Sequence, residues 1–269
     1  MATGGEEKVG YSLVKVGTLT LENGDMSPWY ISIVVCQDKI VVLDREDYKV
    51  KLFRLHDGKL LATTESDRLK LVPCDLCLMD AMTICVLHRD GLIQMLSIDS
   101  TDMSRVLNVA REIRLQGVMD DYLGVVRFKD NLVVCGEKQS TVYWCLVSLH
   151  DGHVDVIHQI CKGDRVWCRV TTKDNMVYIA CFAGVKSPNT GVYGFDVLNP
   201  SQYKYTYKHQ RLQNPTSIVI NEYGNIFVYD NGYPDSSFHQ LTASCQLVAI
   251  FTPGIPQSFD AMFWDNGPL

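Results

Sequence analysis

Residues Asn221–Gly232 read NEYGNIFVYDNG. A polar turn leads into four apolar or aromatic residues, Ile226–Tyr229, and the chain then drops into Asp230-Asn231-Gly232. A short apolar run bounded by turn formers is a β-strand signal. The same unit recurs at CQDKIVVLDRED (Cys36–Asp47), MDAMTICVLHRD (Met79–Asp90), FKDNLVVCGEKQ (Phe128–Gln139) and TKDNMVYIACFAG (Thr172–Gly184). A clipped copy, WDNGPL, runs from Trp264 to the end. The turns lie near Asp38, Ala81, Asp130, Asp174, Gly224 and Asn266, spaced by roughly 42 to 50 residues, close to the period of propeller blades.

Four β segments fit each period. In the first repeat they are ISIVVC (strand a), KIVVLDR (b), YKVKLFRL (c) and LLATTE (d), with Val50, Leu52 and Arg54 sharing one face of c. Asp57-Gly58 turns c into d, because a tight hairpin needs positive φ and glycine supplies it without steric cost. The third repeat follows the same order with TVYWCLVSL, HDG and HVDVIHQI, and the fifth with SFHQLTASCQLVAIF. Val106, Val109, Ala110 and Ile113 in MSRVLNVAREIRL have helical spacing, yet the segment holds the outer-strand position of its repeat and reads as strand or irregular. Such sheets cannot bury both faces alone, but packed radially each covers its neighbours. The expectation is an all-β, six-bladed β-propeller spanning residues 11–269 as one domain, after a loosely ordered 1–10. Its last blade is composite and incomplete, pairing Tyr11–Leu21 with SFDAMFW; a five-bladed ring is the alternative. An unfinished blade leaves edge groups open to self-association.

The chain has 269 residues and a formal net charge of -6, the wrong balance for neutralising phosphates, so RNA is disfavoured as a partner. The one basic candidate, Lys204–Arg211, alternates with tyrosines at period two and reads as a solvated outer strand. Most of the ten cysteines sit in apolar runs, and the N-terminus MATGGEEKVGYS has no apolar signal region. Both suggest a reducing compartment, the cytosol. No apolar run reaches the roughly 18 residues of a membrane span. Cys74-x-x-Cys77 has zinc-like spacing but no second ligand pair; residues three apart on a strand point to opposite faces, so both read as core.

VVLDREDYKVKLFRLHDGKLL, NPTSIVINEYGNIFVYDNG and PQSFDAMF resemble NHL-repeat propellers, as at the C-terminus of invertebrate tripartite-motif-like proteins. The resemblance implies ligand recognition, of protein or RNA. The sequence departs from the pattern: it carries no RING or B-box zinc module and no coiled coil. AGVKSPNTG (Ala183–Gly191) enlarges one b–c loop, and the chain stops before a last strand b.

In a propeller the b–c and d–a loops meet on one face around the central channel. The expected ligand-binding face is Trp29, Arg45, Asp47, His88, Arg89, Trp167, Asn214, Asp230, Asn231 and Tyr233. Aromatics and arginines on a polar-rimmed face are anchors of protein interfaces; Asp, Asn and Gly also dominate turns for conformational reasons alone. Trp144 and Trp264 are expected in blade interfaces. Six-bladed propellers also include calcium-dependent esterases and lactonases, which need several oxygen ligands converging on the channel. Asp44, Asp230 and Asp260 are candidates, but strand b ends in Asp44, His88, Gly136, Phe182 and Asp230, two carboxylates of five. There is no phosphate loop, G-x-S-x-G elbow or H-E-x-x-H. No catalytic residue, metal or cofactor is assigned, and a protein or peptide is the expected partner.

Overall fold

The computed structural model describes residues 30–45, 47–64, 72–98, 107–184, 186–232 and 236–252. They form a β-propeller of five four-stranded blades, without helices. The first blade is β1 (Tyr30–Cys36), β2 (Lys39–Asp44), β3 (Lys49–Arg54) and β4 (Leu60–Thr63). The second is β5 (Pro73–Asp80), β6 (Thr83–His88), β7 (Leu92–Ser97) and β8 (Asn108–Arg114). The third is β9 (Asp121–Phe128), β10 (Asn131–Lys138), β11 (Thr141–Ser148) and β12 (Val154–Lys162). The fourth is β13 (Trp167–Lys173), β14 (Met176–Phe182), β15 (Gly191–Asp196) and β16 (Asn199–Tyr207). The fifth is β17 (Pro215–Ile220), β18 (Ile226–Asp230), β19 (Ser237–Leu241) and β20 (Leu247–Phe251). Every sheet is an antiparallel meander in chain order. MSRVLNVAREIRL supplies the outer strand β8, as its place in the repeat requires.

Five is the count given above as the alternative. The segments proposed for a sixth blade, Tyr11–Leu21 and the clipped repeat with Trp264, lie outside the described residues, as do both ends of the proposed domain. Innermost strands pack side by side, β1 with β5, β5 with β9, β9 with β13 and β13 with β17. Among the described residues β17 and β1 make no comparable contact.

The core lies between blades. On β6, Ile84 and Val86 pack toward the first blade while Cys85 and Leu87 pack toward the third. On β10, Leu132 and Val134 face the second blade and Val133 and Cys135 the fourth. On β14, Val177, Ile179 and Cys181 face the third blade and Tyr178 and Ala180 the fifth. The period of two is present, but both phases are apolar because a blade is sandwiched by its neighbours. On β3, Val50 and Leu52 share the face toward the second blade, and Lys51 and Phe53 on the other face are just as buried. Burying one such aliphatic side chain stabilises the fold by roughly 1.5–3 kcal/mol, so these interfaces dominate its stability. Trp144 is fully buried between the third and fourth blades.

Candidate functional site at the channel mouth

The five innermost strands line a central channel enclosing a cavity of about 260 Å³. In four blades the innermost strand begins with a β-bulge. Tyr30 and Ser32 pair with Asp44 and Leu43, Pro73 and Asp75 with His88 and Leu87, Tyr122 and Gly124 with Gly136 and Cys135, and Pro215 and Ser217 with Asp230 and Tyr229. Each pairing leaves one extra residue: Ile31, Cys74, Leu123 or Thr216. A bulged residue drops out of the ladder and its carbonyl needs another donor.

The fourth blade lacks the bulge and provides that donor. The Arg169 guanidinium donates to Cys74 O at 3.1 Å, to Ile31 O at 3.3 Å and to Leu123 O. One buried side chain thereby ties four blades together. Its charge is balanced by Asp75, Oδ1 lying 3.9 Å from Arg169 Nε, and Asp75 Oδ2 accepts the Val125 amide at 2.9 Å. Burial raises the Asp75 carboxyl pKa, with Arg169 the main opposing influence. Beside the bulge at Leu123, Gly124 makes room for Cys135, whose Sγ would lie 2.8 Å from an added Cβ. These groups sit where the innermost strands begin, so the channel is plugged at the end carrying the b–c and d–a loops.

Trp167 stands at this mouth. It is half-buried, its ring 4.6 Å from the Arg169 guanidinium carbon, a cation–π contact that fixes its orientation. Asn214 and Asn231 are half-buried on the same face and linked, Asn231 N donating to Asn214 O at 2.9 Å. Arg45 and Asp47 occupy the first b–c turn, and Asp47 lies 3.5 Å from Lys51 Nζ.

Three other face residues have internal roles. His88 ends β6 fully buried and shares a hydrogen bond with Gln94 (2.9 Å) rather than standing in solvent. Asp230 ends β18, is 1% exposed, and accepts the amides of Gln213 and Asn214. Arg89 is clamped in a two-point ion pair to Asp121, with Nε–Oδ1 at 2.8 Å, joining the second and third blades. Trp29 and Tyr233 lie outside the described residues, as does Asp260.

Two of the carboxylates considered as calcium ligands are described, and each is engaged within the protein. Asp44 is fully buried with Lys51 Nζ 3.0 Å away, and Asp230 is engaged by backbone amides. Among the described residues no group of three His, Cys, Asp or Glu side chains is arranged to hold a metal ion. Cys74 and Cys77 are core residues, but both pack toward the third blade, because the bulge at Cys74 shifts the alternation. Sequence reasoning passed over Arg169, Asp75 and Lys51. Their signal was a charge inside an apolar strand, in WCRVTTK, PCDLCLM and YKVKLFRL.

No family model matches the chain, and no curated protein matches it. Among solved structures it is similar to a chain of a nidogen/laminin complex, with a TM-score of 0.62 and 14% identity over 83% of this chain and 80% of that one. It also aligns with BamB from Moraxella catarrhalis (TM-score 0.45, 16% identity, 81% of this chain and 59% of that one). A computationally designed protein, Ika4, aligns at TM-score 0.44 and 13% identity, over 69% of this chain and 99% of that one. The first likeness bears on the fold alone and agrees with a propeller.

Proposed function

We propose that this chain is a non-catalytic recognition module that binds a protein or peptide on its loop face. The carrying observation is Trp167, a half-buried indole held over Arg169 at the closed mouth of the channel. A rigid, half-buried aromatic contributes large contact area with little entropy to lose. Arg45, Asn214 and Asn231 lie in loops of the first and fifth blades on the same face. The fold neighbour from a nidogen/laminin complex belongs to an assembly of proteins, which supports a protein partner in general. The finer assignment, an NHL-like repeat forming one domain over residues 11–269, rests on the sequence resemblance. A reducing compartment, the cytosol, belongs to the same proposal and is supported by ten cysteines that are all buried and unpaired.

A photo-crosslinking residue at position 167 tests this, with one at Tyr203 on the outer strand as control. Partner should be captured from 167 and not from 203, and Trp167→Ala combined with Arg45→Ala should lose capture of that partner in pull-downs. Equal capture from both positions, or an unaffected double variant, refutes the loop face. Neither hydrolysis nor RNA binding gains a comparable observation: Asp44 is paired with Lys51, Asp230 is turned to backbone amides, and Lys204 lies on the solvated outer strand β16.

A further inference from the structure

The enlarged b–c loop of the fourth blade and the connection to the fifth enclose a groove of about 570 Å³. Lys186, Pro188 and Thr190 form one wall, and Lys208, His209 and Gln213 the other. Among the described residues no Asp or Glu lines it. The basic run expected to be all outer strand leaves the sheet at Tyr207, and its second half, from Lys208, supplies this wall.

Lys208 and His209 are held in place. Lys208 Nζ donates to Pro188 O at 2.6 Å and lies 5.7 Å from the Tyr193 ring centre, which bridges the two walls and leaves further N–H groups for a ligand. His209 stacks on Tyr207 with centroids 6.1 Å apart, and its Nδ1 accepts the Arg211 amide at 3.1 Å. That bond places the proton of the neutral ring on Nε2, so the imidazole remains a donor. Lys186, which lines the groove, is exposed. Asn189 Nδ2 ties the loop to Lys162 O at 2.8 Å, bringing the backbone of another exposed lysine alongside. Asp164, an exposed carboxylate on that neighbouring connection, is followed directly by Arg165.

A cationic groove on a chain of net charge -6 is a local departure from the whole, and local potential selects what docks there. We infer that the groove seats an acidic segment of the protein partner, its Asp or Glu carboxylates received by Lys186, Lys208 and His209. This rests on the loop-face reading and names the chemistry of the partner. A nucleic acid fits less well, because no tyrosine, tryptophan or phenylalanine among the described residues lines the groove for base stacking.

Fluorescence anisotropy decides the matter with a labelled octaglutamate, its octaglutamine counterpart and a labelled single-stranded oligonucleotide. Octaglutamate should bind saturably and weaken with added salt, while octaglutamine should not bind. Lys186→Glu with Lys208→Glu should abolish binding. Lys186→Glu alone, which leaves the Lys208 contacts intact and guards against a folding defect, should weaken it at least fivefold. Binding that ignores the side-chain charge, survives Lys186→Glu, or favours the oligonucleotide overturns the inference. Photo-crosslinking from position 167 is run in parallel. Partner capture there without octaglutamate binding sinks the acidic seat alone; loss of both sinks the loop face as well.

Discussion

Replacing Arg169 with methionine keeps an unbranched stem in the channel and removes the guanidinium. Three carbonyls, of Ile31, Cys74 and Leu123, then lose a donor. Each orphaned group costs about 1–3 kcal/mol if it stays dry. The cavity of about 260 Å³ adjoining them can admit water, so the full sum is not expected. The larger consequence is Asp75, 5% exposed and left without its counter-charge. Breaking a buried pair costs about 3–5 kcal/mol, and we expect Arg169→Met to fall in that range, near a 10 °C drop in Tm. Urea unfolding followed by tryptophan fluorescence measures it. Asp75→Asn in the Arg169→Met background should cost less than Asp75→Asn alone, because the carboxylate no longer has a partner to lose. A loss below about 1 kcal/mol, or strict additivity of the two changes, would refute the plug as the link between blades.

His239 is fully buried between Tyr207 Oη (2.7 Å from Nδ1) and Ser237 Oγ (3.0 Å from Nε2), and burial lowers its pKa to about 4, with His209 and Arg211 adding in the same direction. Between that value and about 6.5 the unfolded chain binds the extra proton, so stability should be full above pH 6.5 and fall by up to about 1.4 kcal/mol per unit on acidification. Asp75 and Asp230 carry raised pKa values and act in the opposite sense, so the histidine contribution is read as the slope that His239→Gln removes from a urea series at pH 7, 6 and 5. Gly163→Ala would place a Cβ 2.1 Å from Ala183 O, a backbone atom that cannot step aside, and should lower stability by about 1–3 kcal/mol in a thermal melt. All ten cysteines are buried, with the Cys145 and Cys245 thiols pushed up to about 12, so a thiol reagent at neutral pH should label ten sites only after denaturant is added.

The blades were legible because their signals are local. Turn residues such as Asp57-Gly58 and the apolar run after Asn225 fix strand positions within a few residues. The site was less legible because its polar groups find partners far along the chain. His88 stands beside Arg89-Asp90, so it reads as a turn residue; its partner Gln94 lies across the hairpin, and that bond draws it inside. Arg89 looks free until Asp121, in the next blade, is brought beside it. The bulges were hidden too. They need one extra residue in a strand, which leaves the apolar pattern of YISIVVC or PCDLCLM almost untouched while reversing which face each side chain takes. Trp167 could be placed at the channel mouth from its position ahead of an apolar run. Its anchoring by Arg169 could not, because the same arginine serves backbone from three other blades.

Arg169 and Ile31 are 138 residues apart in sequence. Closing so long a loop is entropically slow, and the arginine cannot collect its acceptors until four blades have docked. The contact therefore belongs to the final descent to the native ring, after the rate-limiting barrier. Removing it should hasten unfolding and leave the refolding rate nearly unchanged, making this side chain a latch on the lifetime of the assembled propeller.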